Sequence, residues 1–237
     1  MKLKLLAAAA LTSVMLASAA SAAPVTLTKQ SSDVFGGGGN AGVKVELGRN
    51  DYTAQAGGFR LTDGVNNIIA WCLDLSNSLS LPGNYNTTET PFSNSYGLTS
   101  TQKANVEKLF AANYATLDLN SNSQSAGFQL ALWEVLYETS STFSLLNGAF
   151  EAVTRGRDAT PSSVVGFANQ FLSNLSGATT GKYAFTYYEG VNGRKGSHSQ
   201  NLVSVTPVPL PAAGALLGFG LVGLYGMSRR KTRGAAA

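Results

Sequence analysis

Cys72 and Gln129 are the two residues whose type and setting call for a chemical explanation. Cys72 is the only cysteine among the 237 residues, so no disulfide can form within the chain. It sits in the apolar run Ile68-Ile69-Ala70-Trp71-Cys72-Leu73-Asp74-Leu75, which reads as a strand. At a period of two, Ile69, Trp71, Leu73 and Leu75 share one face, while Ile68, Ala70, Cys72 and Asp74 share the other. The second face is narrow near the cysteine, so another element can pack closely on it. Gln129 lies in Phe128-Gln129-Leu130-Ala131-Leu132-Trp133-Glu134, which reads as helix. At about 100° per residue it falls among Ala126, Leu132, Trp133 and Leu136. Glu134 and Glu138 fall roughly 140–180° away and mark the side expected to be solvated. An unpaired amide on the apolar face costs about 1–3 kcal/mol, so Gln129 needs a partner. Two partners are open: a backbone group at the sheet surface, or Cys72 itself.

A cysteine on a strand and a glutamine on a helix packed over it can condense. The thiolate attacks the carboxamide carbon, ammonia leaves, and an internal thioester remains. The bond survives only in an apolar, water-poor pocket, which Trp71, Leu73, Phe128 and Trp133 would supply. Asp74 shares the strand face of Cys72; it either helps ammonia leave and orients the amide, or ends the strand and caps a turn. Trp71-Cys72-Leu73 and the later Phe128-Gln129-Leu130-Ala131-Leu132-Trp133 resemble the cysteine and glutamine signatures of bacterial surface thioester domains. That family carries an aromatic–Cys motif followed by T-Q-x-A-I-W, and Phe128 stands here where threonine is common. The resemblance implies an electrophilic thioester that captures amines on partner proteins. The plainer alternative is a buried free thiol behaving as a small hydrophobe.

No other constellation carries chemistry. His198, the only histidine, lies in the polar stretch Gly193-Arg194-Lys195-Gly196-Ser197-His198-Ser199, which reads as an exposed loop. There is no Gly-x-Ser-x-Gly turn, and no cysteine–histidine set to hold zinc. The run Gly36–Gly39 lacks a following Lys-Ser/Thr pair and reads as a loop, not a phosphate cradle. The expectation is a protein that is not an enzyme and uses neither cofactor nor metal.

The elements that must position the pair follow from periodicity. Strand-like patterns run from Val25 to Tyr85, including Val25–Thr28, Val43–Leu47, Phe59–Leu61 and Ile68–Leu75. A first helix opens at the capping-box pattern Thr99-Ser100-Thr101-Gln102, a second spans Ser123 to Thr139, and a third spans Pro161 to Leu175 with proline in its first turn. Strands return at Lys182–Glu189 and Gln200–Val205. The predicted body, residues 23–206, is a single α+β domain with a mostly antiparallel sheet and two to three packed helices.

Both ends of the chain read as addresses. Lys2 and Lys4, the 13-residue apolar run Leu5–Ala17 and Ala20-Ser21-Ala22 form a secretory signal over residues 1–22. At the other end, residues 207–237 hold Val208-Pro209-Leu210-Pro211-Ala212, an apolar run expected as a transmembrane helix over 212–227, and the basic residues Arg229, Arg230, Lys231 and Arg233. The basic cluster places the body outside the inner membrane by the positive-inside rule. The span is roughly 24 Å as a helix against a core of ~30 Å, short for a permanent anchor. This tail resembles the VPLPA variant of the PEP-CTERM sorting tails of Gram-negative bacteria, with leucine at 210 where glutamate is commoner. The resemblance implies processing at or near Val208–Ala212 by an exosortase-type membrane transpeptidase. The chain would be held transiently in the inner membrane, then delivered to the cell surface or released. The formal net charge of +4 resides at these ends. Without the six terminal cations, 11 Lys+Arg face 13 Asp+Glu, a net of −2, which excludes a nucleic-acid partner. The sequence therefore reads as an exported surface or matrix protein with an unidentified surface or matrix partner. Attachment is covalent through the thioester, or non-covalent with Cys72 left as a buried thiol.

Overall fold

The computed structural model describes residues 23–89, 97–138, 142–191 and 199–208. The expected signal peptide, the residues from Pro209 to Ala212, the helix over 212–227, the basic tail and His198 all lie outside the described residues. Among the described residues no helix is long and apolar enough to cross a membrane.

The chain folds as one α+β domain. Among the described residues nine strands, β1 (Ala23–Lys29), β2 (Asn40–Leu47), β3 (Asn50–Gly57), β4 (Phe59–Thr62), β5 (Asn67–Cys72), β6 (Gly83–Thr88), β7 (Phe150–Ala152), β8 (Tyr183–Val191) and β9 (Leu202–Pro207), combine with three α-helices. These are α1 (Ser100–Asn113), α2 (Asn122–Tyr137) and α3 (Ser162–Ser173). Six strands close a barrel in the order β1-β4-β5-β9-β8-β6, and β3-β2-β7 form a separate small sheet. The pairings within both sheets are antiparallel. Closure removes the edges that an open six-stranded sheet would expose.

Three strands carry weak signals in the sequence. β3 carries Asn, Asp and Gly, and β6 one Gly and two Asn, residues depleted from strands, and β7 is three residues long. Each is a strand because its partners dictate it. The second helix is where sequence and structure part. Every residue from Ser125 to Leu136 is buried, because α2 packs on β2 and β3 on one side and on α1 and α3 on others. Glu134 therefore does not mark a solvated side; it is fully buried. Charged positions mark the solvated side only of a helix with one face in water, and α2 has no such face along this stretch. The N-terminus of α1 matches its pattern: Thr99 and Gln102 form the reciprocal capping box. Pro161 stands at the N-cap of α3 rather than within its first turn.

The core binds barrel to helices through an aromatic cluster. Trp71 of β5 meets Phe128 of α2 at 4.6 Å between centroids. Phe128 in turn meets Phe110 of α1 and Phe171 of α3 at 5.0 and 5.8 Å. Such pairs add to burial when tilted or edge-on, as these are.

Candidate functional site

The β4–β5 ladder runs from Thr62↔Asn67 to Phe59↔Ala70 and stops there, because the chain before Phe59 belongs to β3. The next two residues of β5, Trp71 and Cys72, thus have β9 on one side and, among the described residues, no strand on the other. Leu73 donates its N–H to Asn201 O on the β9 side at 2.9 Å. N–H groups alternate between the edges of a strand, so that of Cys72 points to the vacated edge. Gln129 fills that edge. Its Oε1 accepts the Cys72 N–H at 2.9 Å, and its Nε2 donates to the Cys72 carbonyl at 2.9 Å. The side-chain amide reproduces the two bonds that a residue of a neighbouring strand would make.

The same helix face continues the substitution on either side. Ser125 Oγ accepts the N–H of Gly58, where the chain departs from the ladder, at 3.0 Å. Tyr137 Oη accepts the Leu75 N–H at 3.0 Å and donates to Leu73 O at 3.3 Å. Ser125, Gln129, Trp133 and Tyr137 recur every four residues and so lie in a row along α2. Sequence reasoning picked out Gln129 and Trp133 but missed Ser125 and Tyr137. The four-residue spacing of side chains able to hydrogen-bond was the signal available.

All of the expected pocket residues are buried: Trp71, Leu73, Asp74, Phe128 and Trp133, with Cys72 1% and Gln129 0% exposed. They do not share one wall. Trp71 and Phe128 meet at a tilt in the aromatic cluster, whereas Asp74 and Trp133 attend the thiol. The Cys72 S–H donates to the backbone oxygen of Asp74 at 2.6 Å. The Trp133 indole N–H is buried without a partner in hydrogen-bond geometry, yet lies near enough to favour the thiolate. The Asp74 carboxylate caps the turn that ends the strand: Oδ1 accepts the Asn77 N–H at 2.9 Å and Oδ2 the Asn201 N–H at 2.8 Å. Tyr85, from β6, shares a hydrogen bond of 2.7 Å with Ser199. Neither Tyr85 nor Asn201 was expected from sequence.

Burial dominates the electrostatics. It pushes the Cys72 thiol well above its ordinary range, and the Asp74 charge pushes it further, so the resting sulfur is a neutral thiol. Burial also raises Asp74, against the opposing pull of the Asn201 and Asn77 N–H groups. Burial pushes Tyr85 up to about 12 and Tyr137 upward as well, which keeps both phenols neutral. The arrangement has the parts for nucleophilic attack on an amide. The carboxamide is held against the residue bearing the thiol, and a backbone N–H is aimed at the oxygen where negative charge would develop. What it needs is a proton acceptor for the thiol. No protein-family model matches the chain, and no curated protein does.

Proposed function

We propose that this is an exported surface or matrix protein that attaches covalently to amines through a thioester between Cys72 and Gln129. The supporting observation is the pair of 2.9 Å bonds by which the Gln129 carboxamide engages the backbone of Cys72. They hold the electrophile in one orientation, with its oxygen on a donor, inside a site that excludes water. A primary amine attacking the thioester carbon would form an amide at position 129 and return the thiol. Each molecule acts once, which makes it a fastener and not an enzyme. The signal over residues 1–22 and the VPLPA tail, Val208–Ala212, would route the chain through the inner membrane to an exosortase-type transpeptidase. The body would then pass to the surface or the surrounding matrix.

Intact mass of the freshly exported protein tests the bond. The expected mass is one ammonia below that of the processed sequence, and Cys72→Ala or Gln129→Ala should abolish the deficit. Methylamine should add at Gln129 and free the Cys72 thiol for alkylation. Full mass with an intact Gln129 amide would overturn the reading. It would leave the second one, a non-covalent structural or adhesive protein. That reading also has an observation in its favour: both ends of the Gln129 amide are satisfied by Cys72 backbone groups, which accounts for its burial without any chemistry.

A further inference from the structure

We infer that Asp74 is the proton carrier of the Cys72–Gln129 pair, taking the thiol proton as the bond forms and delivering it to the departing ammonia. The inference rests on the thioester reading and adds the group which that reading lacks. A buried neutral thiol is a poor nucleophile, so a base must stand close by. Among the described residues, one carboxylate and two phenols interact electrostatically with Cys72. Cys72 and Asp74 both act electrostatically on Tyr85 of β6 and Tyr137 of α2, and with burial they hold the two phenols neutral. Asp74 is the carboxylate among them, 2% exposed, two residues beyond Cys72 in the turn that follows the end of β5. Its own backbone oxygen receives the S–H at 2.6 Å, which brings the thiol against this residue. Two backbone N–H groups, from Asn77 and Asn201, fix the carboxylate in one rotamer. No cation pairs with it in an ion pair among the described residues, so its charge is not committed to a salt bridge.

The step balances. Asp74 accepts the S–H proton as Sγ bonds to Cδ of Gln129. The electron pair of the C=O moves onto Oε1, which the Cys72 N–H holds. The C–N bond then breaks as Asp74 returns the proton to Nε2. Ammonia leaves, the carbonyl re-forms as a thioester, and Asp74 is again ionised. Capture of an amine runs the same path in reverse, with the incoming amine in the place of ammonia.

The test follows ammonia loss by intact mass after refolding the chain from denaturant with Gln129 intact. Wild type, Asp74→Asn and Asp74→Glu are compared from acid to mildly alkaline pH. The wild-type rate should rise with pH through a single ionisation. Asp74→Asn should be slower by on the order of 100-fold and should lack that acid limb, while Asp74→Glu restores part of the rate. Near-ultraviolet circular dichroism reports whether each variant keeps its fold. Should Asp74→Asn fail to fold, the wild-type profile decides: an acid limb supports Asp74, and a flat profile overturns it. A folded Asp74→Asn that loses ammonia at the wild-type rate also overturns the role of Asp74, while the thioester stands. Wild type that never loses ammonia overturns the thioester reading itself, and this inference with it.

Discussion

Removing the Gln129 carboxamide would leave the N–H and C=O of Cys72 unpaired inside the protein. Each orphaned group costs about 1–3 kcal/mol, so Gln129→Ala should destabilise the domain by about 3 kcal/mol or more. Cys72→Ala removes a sulfur and leaves both of those bonds intact, and should cost about 1 kcal/mol. Neither variant can hold a thioester, so urea denaturation of the two isolates the amide's part in the fold. Equal losses would mean that Gln129 does not stand in for a strand. The residue has a structural duty and a chemical opportunity at once. The amide that completes the sheet edge is also the one presented to the thiol.

At the scale of elements, α2 is the part on which everything else depends, and it is packed tightly enough to make opposite predictions for two glycines. A Cβ on Gly127 would stand 2.8 Å from Phe167 Cβ, 3.0 Å from Val164 O and 3.1 Å from Ala168 N, the surface of α3. Gly127→Ala should therefore destabilise by about 1–3 kcal/mol, despite the helix propensity it gains. Gly166, on α3, meets nothing within 4 Å and is exposed. Gly166→Ala should stabilise by about 0.5–1 kcal/mol. Thermal melts of the pair check both signs, and stabilisation by Gly127→Ala would deny the close helix–helix approach. The burial of α2 also changes what a charge does at position 134. Glu134→Lys should be as damaging as Gln129→Lys, since both place a cation in a packed interior.

For the molecule as a whole, Glu134 sets a dependence of stability on pH. Its Oε1 accepts the Ser144 N–H at 2.6 Å, and its Oε2 is buried without a partner. Burial raises the carboxyl from 4.5 to about 7, aided by the charges of Glu138 and Glu151 and opposed by the Ser144 N–H. The folded state thus holds a proton that the unfolded chain releases near 4.5. The stability this proton confers is complete below about 4.5 and is lost as pH rises from there through about 7. Glu134→Gln should flatten that interval, with a gain of a few kcal/mol at and above neutral pH. Urea midpoints measured across the interval check it, and parallel wild-type and Glu134→Gln curves would refute it. Glu138 and Glu151 also accept N–H groups of the segment before β7, from Ala149 at 2.9 Å and Gly148 at 3.2 Å. Protonation at Glu134 thus bears on a whole connection and not on one residue.

Local signals in the sequence carried the α+β class, the capping box at Thr99, the helical run through Gln129 and the isolation of Cys72. Each depends on neighbours within a few positions, through periodicity, capping or composition. The need of Gln129 for a partner was legible for the same reason, since an amide among apolar helical positions must be satisfied. Which partner it takes was not. That was decided when β4 left the ladder at Phe59 and opened the edge of β5 beside α2, a meeting of segments 57 positions apart. Barrel closure, the strands β3, β6 and β7, and the burial of Glu134 share that origin. A helix walled on every side has no solvated face for its own residues to declare. The surfaces that enclose it come from distant parts of the chain, and only the tertiary structure brings them together.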